Sequence, residues 1–191
     1  MSKPKPANPA FSISDADLAP ALAQIGAEID HQPLRSSALA RIMRATFHGS
    51  DAGGAWDWRM AYNLMQAAAV QVLLRVDGAA CDIAAAKLLA SRLLTETRRS
   101  EQQIRLQQFS TPLAFAAMVV RAAAIRKGET VLEPSAGTGA LVAFAARAGA
   151  TLLLNEIDPF RQSLLRAVFG GEVTGHDGEH IDDLLQTLVL P

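Results

Sequence analysis

Three carboxylates in the second half of the chain are spaced for work at a ligand. Glu133 ends a short apolar run, Thr130-Val-Leu-Glu133, and a loop of small residues, Pro134-Ser-Ala-Gly-Thr-Gly139, follows it. Gly137 and Gly139 permit a tight turn and let a ligand approach the backbone. The helix expected after them presents free amide groups. Glu156 follows a second apolar run, Thr151-Leu-Leu-Leu-Asn155, and lies 17 positions after Gly139. A carboxylate there can accept hydrogen bonds from both hydroxyls of a ribose. Asp177 follows a third run, Glu172-Val-Thr-Gly175, where it or its backbone can meet an adenine edge. Helix caps and surface charges are the bland reading of each acid. Three acids at three successive strand ends converge on one rim of a parallel sheet, and one rim is harder to explain that way. A third glycine in G-x-G-x-x-G phase would fall at Val142, so the dinucleotide fingerprint is incomplete.

The elements that must hold these residues alternate. Thr111 and Pro112 suit the N-cap and first position of a helix running to about Arg126, with Gly128 closing it. Helices are expected from Gly139 to near Gly149, from Pro159 to Phe169 and from Glu179 to Leu188. Strands alternating with helices of about ten residues argue for βαβ units and a parallel sheet. The first hundred residues read instead as a helical bundle. Its segments run from Asp15 to about Ile29, Ser36 to Phe47, Trp56 to Val76 and Asp82 to Thr95. On the third of these, Ala61, Leu64, Met65, Ala68 and Val72 form one stripe, while Arg59, Asn63 and Gln66 form another. Trp56, Trp58 and Tyr62 read as bundle packing rather than base-stacking platforms. The expected organisation is therefore a disordered start over 1–14, a helical domain over 15–96, a linker or connecting helix over 97–108, and an α/β domain over 109–191.

Composition excludes several classes. Eighteen Lys and Arg against 19 Asp and Glu leave a net charge of −1, so bulk charge cannot grip nucleic acid. Cys81 is the single cysteine, which excludes an intramolecular disulfide and a cysteine-based zinc cluster and suits a reducing cytoplasm. His31, His48, His176 and His180 show no metal spacing. Arg121 interrupts the best apolar run, Leu113 to Ile125, so no membrane span is expected. The proline-rich start is not a signal peptide.

Taken in order, Phe109-Ser-Thr-Pro112, Leu132-Glu-Pro-Ser-Ala-Gly-Thr-Gly139, Asn155-Glu-Ile-Asp-Pro159 and His176-Asp177 resemble the cofactor motifs of class I S-adenosylmethionine-dependent methyltransferases. The pairing of F-x-T-P with L-E-P-S-A-G-T-G is most similar to the amino-methyltransferases that modify adenine in DNA. Ser50 to Trp58, Ala61-Tyr62 and Thr97-Arg-Arg-Ser-Glu101 resemble the N-terminal region of large bacterial proteins that join a methyltransferase-like domain to a strawberry notch-type helicase. The likeness covers the chain from about residue 35 onward.

The resemblance implies S-adenosylmethionine as cofactor, and DNA and a helicase region as partners. It implies that Phe109, Thr111 and Pro112 wall the methionine end and that Glu133 faces the amino group. Ala136, Gly137, Thr138 and Gly139 form the loop beneath, Glu156 holds the ribose, Ile157 packs on the adenine and Asp177 accepts from its amino group. An ordinary core aromatic is the competing reading of Phe109, and Asp158 with Pro159 reads as a helix cap rather than a ligand contact. The family continues to a fourth strand ending in Asn/Asp-Pro-Pro-Tyr/Phe, and no such motif follows Asp177. Asn8-Pro-Ala-Phe11 is a poor substitute. The implied fold is a helical bundle followed by a partial Rossmann-like methyltransferase fold, its first three parallel strands truncated before the fourth. Such a chain is expected to be a fragment without activity of its own. In the family strand order 3-2-1-4-5 its first strand would lie at an edge with a bare apolar face. A second copy, a partner chain or the N-terminal bundle is expected to cover it. Rival readings are a non-catalytic module that docks DNA or a helicase, and a nicotinamide-dependent oxidoreductase, which the missing third glycine disfavours.

Overall fold

The computed structural model describes residues 15–96 and 110–181. Four helices come first: α1 (Asp15–His31), α2 (Ser36–Thr46), α3 (Trp58–Arg75) and α4 (Ile83–Ala90). Then follow α5 (Leu113–Ala123), β1 (Thr130–Glu133), α6 (Ala140–Arg147), β2 (Thr151–Asn155), α7 (Pro159–Phe169), β3 (Val173–Thr174) and a 3₁₀ turn (Gly178–His180). The alternation expected after residue 109 is present, and the strands pair in parallel in the order β1-β2-β3. The β1–β2 register sets Thr130 against Thr151 and Glu133 against Leu154. β3 pairs only through Val173 and Thr174, with Leu154 and Asn155.

Local chemistry explains most boundaries. The Asp57 carboxylate accepts from Met60 N to start α3, and Asp82 accepts from Ala85 N to start α4. Asp158 accepts from Phe160 N and Arg161 N to start α7, with Pro159 at its first position, which is the capping role the sequence suggested. Four boundaries differ from the sequence reading. Helix α3 begins at Trp58 rather than Trp56, because Asp57 is its N-cap residue. Helix α5 begins at Leu113, because Pro112 keeps an extended ψ of 136° and is itself the N-cap residue. It ends at Ala123, where Ala124 takes a left-handed φ of 53°, rather than running to Arg126. Helix α4 ends at Ala90 instead of reaching Thr95. The expected helix over 179–188 is described only at its start, and residues 182–188 lie outside the described residues, as does the linker over 97–108.

One apolar core runs through both halves. Leu22, Ile25, Leu39, Leu64 and Leu73 of the first helices share a buried cluster with Ala116, Phe144 and Leu164 of the later ones. Full burial of Phe144 alone is worth about 2–3 kcal/mol. Helix α3 is the hinge of this arrangement, packing on α1, α6 and α7. Trp56 and Tyr62 are buried in it, with Trp58 edge-on to Trp56 at 5.6 Å. These aromatics pack the bundle as expected. A second cluster of Val142, Leu154, Leu165 and Val173 seals the helix-covered face of the sheet. The opposite face is thinner: Leu132, on β1, is 39% exposed. Among the described residues β1 lies at the sheet edge.

Candidate functional site

The C-terminal ends of the strands meet at one rim, and Asn155 ties them together. It is buried at the end of β2. Its Nδ2 donates to Pro134 O and His176 O, both at 2.9 Å. Its Oδ1 accepts from Thr174 Oγ1 at 2.8 Å and His176 N at 2.9 Å. All four hydrogen-bonding positions of the amide are thus used, and the loops after β1 and β3 are held beside β2. Asn155 lies within one of the sequence motifs, but nothing local to it signals this role.

The loop after β1 is drawn in by Glu156. Its Oε2 accepts from Gly137 N at 2.8 Å and its Oε1 from Asp158 N at 2.9 Å. Glu156 is 4% exposed. Burial pushes its carboxyl above the ordinary value, while the two amides and the nearby Arg161 guanidinium pull it back. Ala136 N donates to Asn155 O at 2.9 Å, and Gly139 N to Ala136 O at 2.8 Å. Gly139 has a φ of +90°, and a Cβ there would stand 2.6 Å from Phe169 Cε2, so both conformation and space require glycine.

The other acids are less enclosed. Glu133 Oε1 accepts from Ser135 N at 3.2 Å and closes its own turn. Asp177 is exposed and accepts from Glu179 N at 3.1 Å, capping the 3₁₀ turn. Ile157 is exposed on the rim between them in sequence. Thr111 and Pro112 line a cavity with Thr138 beside the loop. Phe109 lies outside the described residues. The structure therefore brings Glu133, Ala136 to Gly139, Glu156 and Asp177 to one rim. Each acid is also engaged by a local backbone N–H.

What the sequence reading passed over is the contribution of the bundle. The polar stripe of α3 faces this site. Arg59 Nη1 donates to Asp158 Oδ2 at 2.6 Å, and both side chains are buried. Asn63 Oδ1 accepts from Arg161 Nε at 3.3 Å and Nη2 at 3.1 Å. Gln66 Oε1 accepts from Thr138 Oγ1 at 3.1 Å and from Ser110 Oγ. Burial lowers the Arg161 guanidinium, and Glu156 and Asp158 counter that. Arg161 gave no signal in the sequence, but a polar i, i+4, i+7 stripe on so apolar a helix was a usable one. Among the described residues, no group of His, Cys, Asp and Glu is arranged to hold a metal ion. No helix there is long and apolar enough to cross a membrane. No protein-family model, curated protein or solved structure matches the chain.

Proposed function

We propose that this chain is an S-adenosylmethionine-binding, methyltransferase-like unit of the kind that serves adenine-directed DNA methylation beside a helicase. One observation carries the reading: a glycine loop follows the first strand of a parallel sheet, and the carboxylate just after the second strand is hydrogen-bonded to that loop. Ligands of this architecture bind at that rim. A carboxylate has about four acceptor positions, and Glu156 spends one on Gly137 and one on Asp158. The remainder suit the two hydroxyls of a ribose. Exposed Ile157 offers an apolar surface to a flat base, and Asp177 an acceptor to its amino group. Gly137 and Gly139 admit the nucleoside against the backbone, while Thr111 and Pro112 line the adjoining end. When bound, the cofactor supplies an electrophilic methyl group, and these residues bind and orient it. DNA and the helicase region are the partners this reading assigns, in the cytoplasm.

Titration calorimetry with S-adenosylmethionine and S-adenosylhomocysteine tests it. Glu156→Ala is expected to abolish binding. Because Glu156 also holds the loop, Asp177→Ala serves as a second variant on an exposed residue and is expected to weaken binding about tenfold. Tight NADH binding would favour a nicotinamide enzyme instead. The outer face of α5 supports a second reading, a non-catalytic docking module: Phe115 is 55% exposed, and Met118 and Val119 are exposed beside it. A folded wild-type chain that binds no adenosyl ligand would put that reading first.

A further inference from the structure

Beside the glycine loop lies a cavity of about 110 Å³, walled by Ala69, Val70, Leu93 and Ala140 and opening onto the polar side chains of Gln66, Ser110 and Thr138. Its volume admits a few non-hydrogen atoms. Gln66, from the middle of α3, is where three segments meet. Its Nε2 donates to a Glu96 carboxylate oxygen, which fixes the orientation of the amide. Its Oε1 must then face the loop, and both Ser110 Oγ and Thr138 Oγ1 donate their single hydrogen to it. With those hydrogens spent, each hydroxyl presents only lone pairs to any further partner. A cluster of acceptors with a carboxylate behind it suits a donor-only cation, and an ammonium group is the compact one. Arg161, whose guanidinium feels the Glu96 charge, is flanked by Glu156 and Asp158 and hydrogen-bonded to Asn63.

We propose that Gln66, Ser110, Thr138 and Glu96 form a subsite for a primary ammonium group, so that the helical half selects the amino-acid end of the ligand. This rests on the adenosyl reading above, gives α3 a role in it, and places the ligand's amino group here rather than at Glu133, whose carboxylate closes its own turn. The subsite contributes binding and orientation and no bond-making step.

The test compares two probes on the full chain by titration calorimetry: S-adenosylhomocysteine, and 5′-methylthioadenosine, which has the adenosine and thioether but no amino-acid end. Wild type is expected to bind the first at least about tenfold more tightly. Gln66→Leu is expected to lose about tenfold on S-adenosylhomocysteine and to hold 5′-methylthioadenosine unchanged. Glu96→Gln keeps the size and the amide orientation and removes the charge; it is expected to lose severalfold on the first probe alone, and it decides the matter if Gln66→Leu does not fold. Equal losses on both probes, or no loss on either, would overturn the subsite while leaving the adenosyl site standing. A folded wild type that binds neither probe would overturn both.

Discussion

Asn155 and Glu156 are adjacent in the chain, and both spend their polar atoms on backbone around them. Asn155 is a fully satisfied structural knot. Glu156 keeps acceptor capacity and carries a charge in a buried place. Burial is the largest influence on its carboxyl and raises its pKa. The folded chain therefore holds this proton more tightly than the unfolded chain does. Its contribution to stability is complete below the ordinary carboxylate range and is lost as pH rises through the raised value. Thermal melts between about pH 4.5 and pH 7 should show wild type losing ground to Glu156→Gln as pH rises, because the glutamine cannot ionise. A constant difference between the two across that window would show that burial does not govern this group. The sequence announced an acid at this position. It did not announce that Gly137 N and Asp158 N would occupy both oxygens, since those contacts depend on how two loops fold back on β2.

At the scale of elements, α3 does the joining. Its N-terminal half meets α7 through the buried Arg59–Asp158 pair. Near its C-terminal end, Arg147 from the end of α6 donates to Leu73 O at 2.7 Å and to Val76 O. Leu73 O also accepts from Val76 N at 3.2 Å, so Arg147 gives it a second partner and ties down the chain just past the helix end. Removing Arg59 takes the hydrogen-bonded countercharge from buried Asp158, which keeps its contacts to Phe160 N and Arg161 N, so Arg59→Ala should cost about 3 kcal/mol in urea unfolding. Arg147→Ala should cost about 2 kcal/mol. Both should lower one shared transition, because α3 and the sheet helices lie in one core. Two separated transitions in either variant would mean that the halves unfold independently. Helix types, and the starts at Asp82 and Asp158, were legible because those caps are local, whereas α3 starts behind Asp57, two residues later than the apolar pattern placed it. The end of α5 was not, because the chain turns at Ala124, short of the glycine expected to close the helix.

For the molecule as a whole, the sheet is lopsided. β2 has a hydrogen-bonded neighbour on both sides, and among the described residues β1 has one. Leu132 and the α5 face of Phe115, Met118 and Val119 remain exposed. Hydrogen exchange on the isolated chain should show faster exchange at Val131 and Leu132 than at Leu153 and Leu154, which sit opposite partners in the sheet interior. Equal protection of both strands would show that β1 is covered in solution, as a second copy or partner chain would do.

The order of elements, the parallel sheet and the rim bearing Glu133, Glu156 and Asp177 were set by the sequence alone, since periodicity, caps and glycine positions are local properties of the chain. The tertiary structure decided that Arg59, Asn63 and Gln66 belong to that rim, nearly a hundred residues away in the chain for two of the three pairings. A polar stripe on a helix states only that it needs polar partners. Which partners it finds depends on how α3 docks on α6 and α7, and that is settled by the packing of a core drawn from both halves.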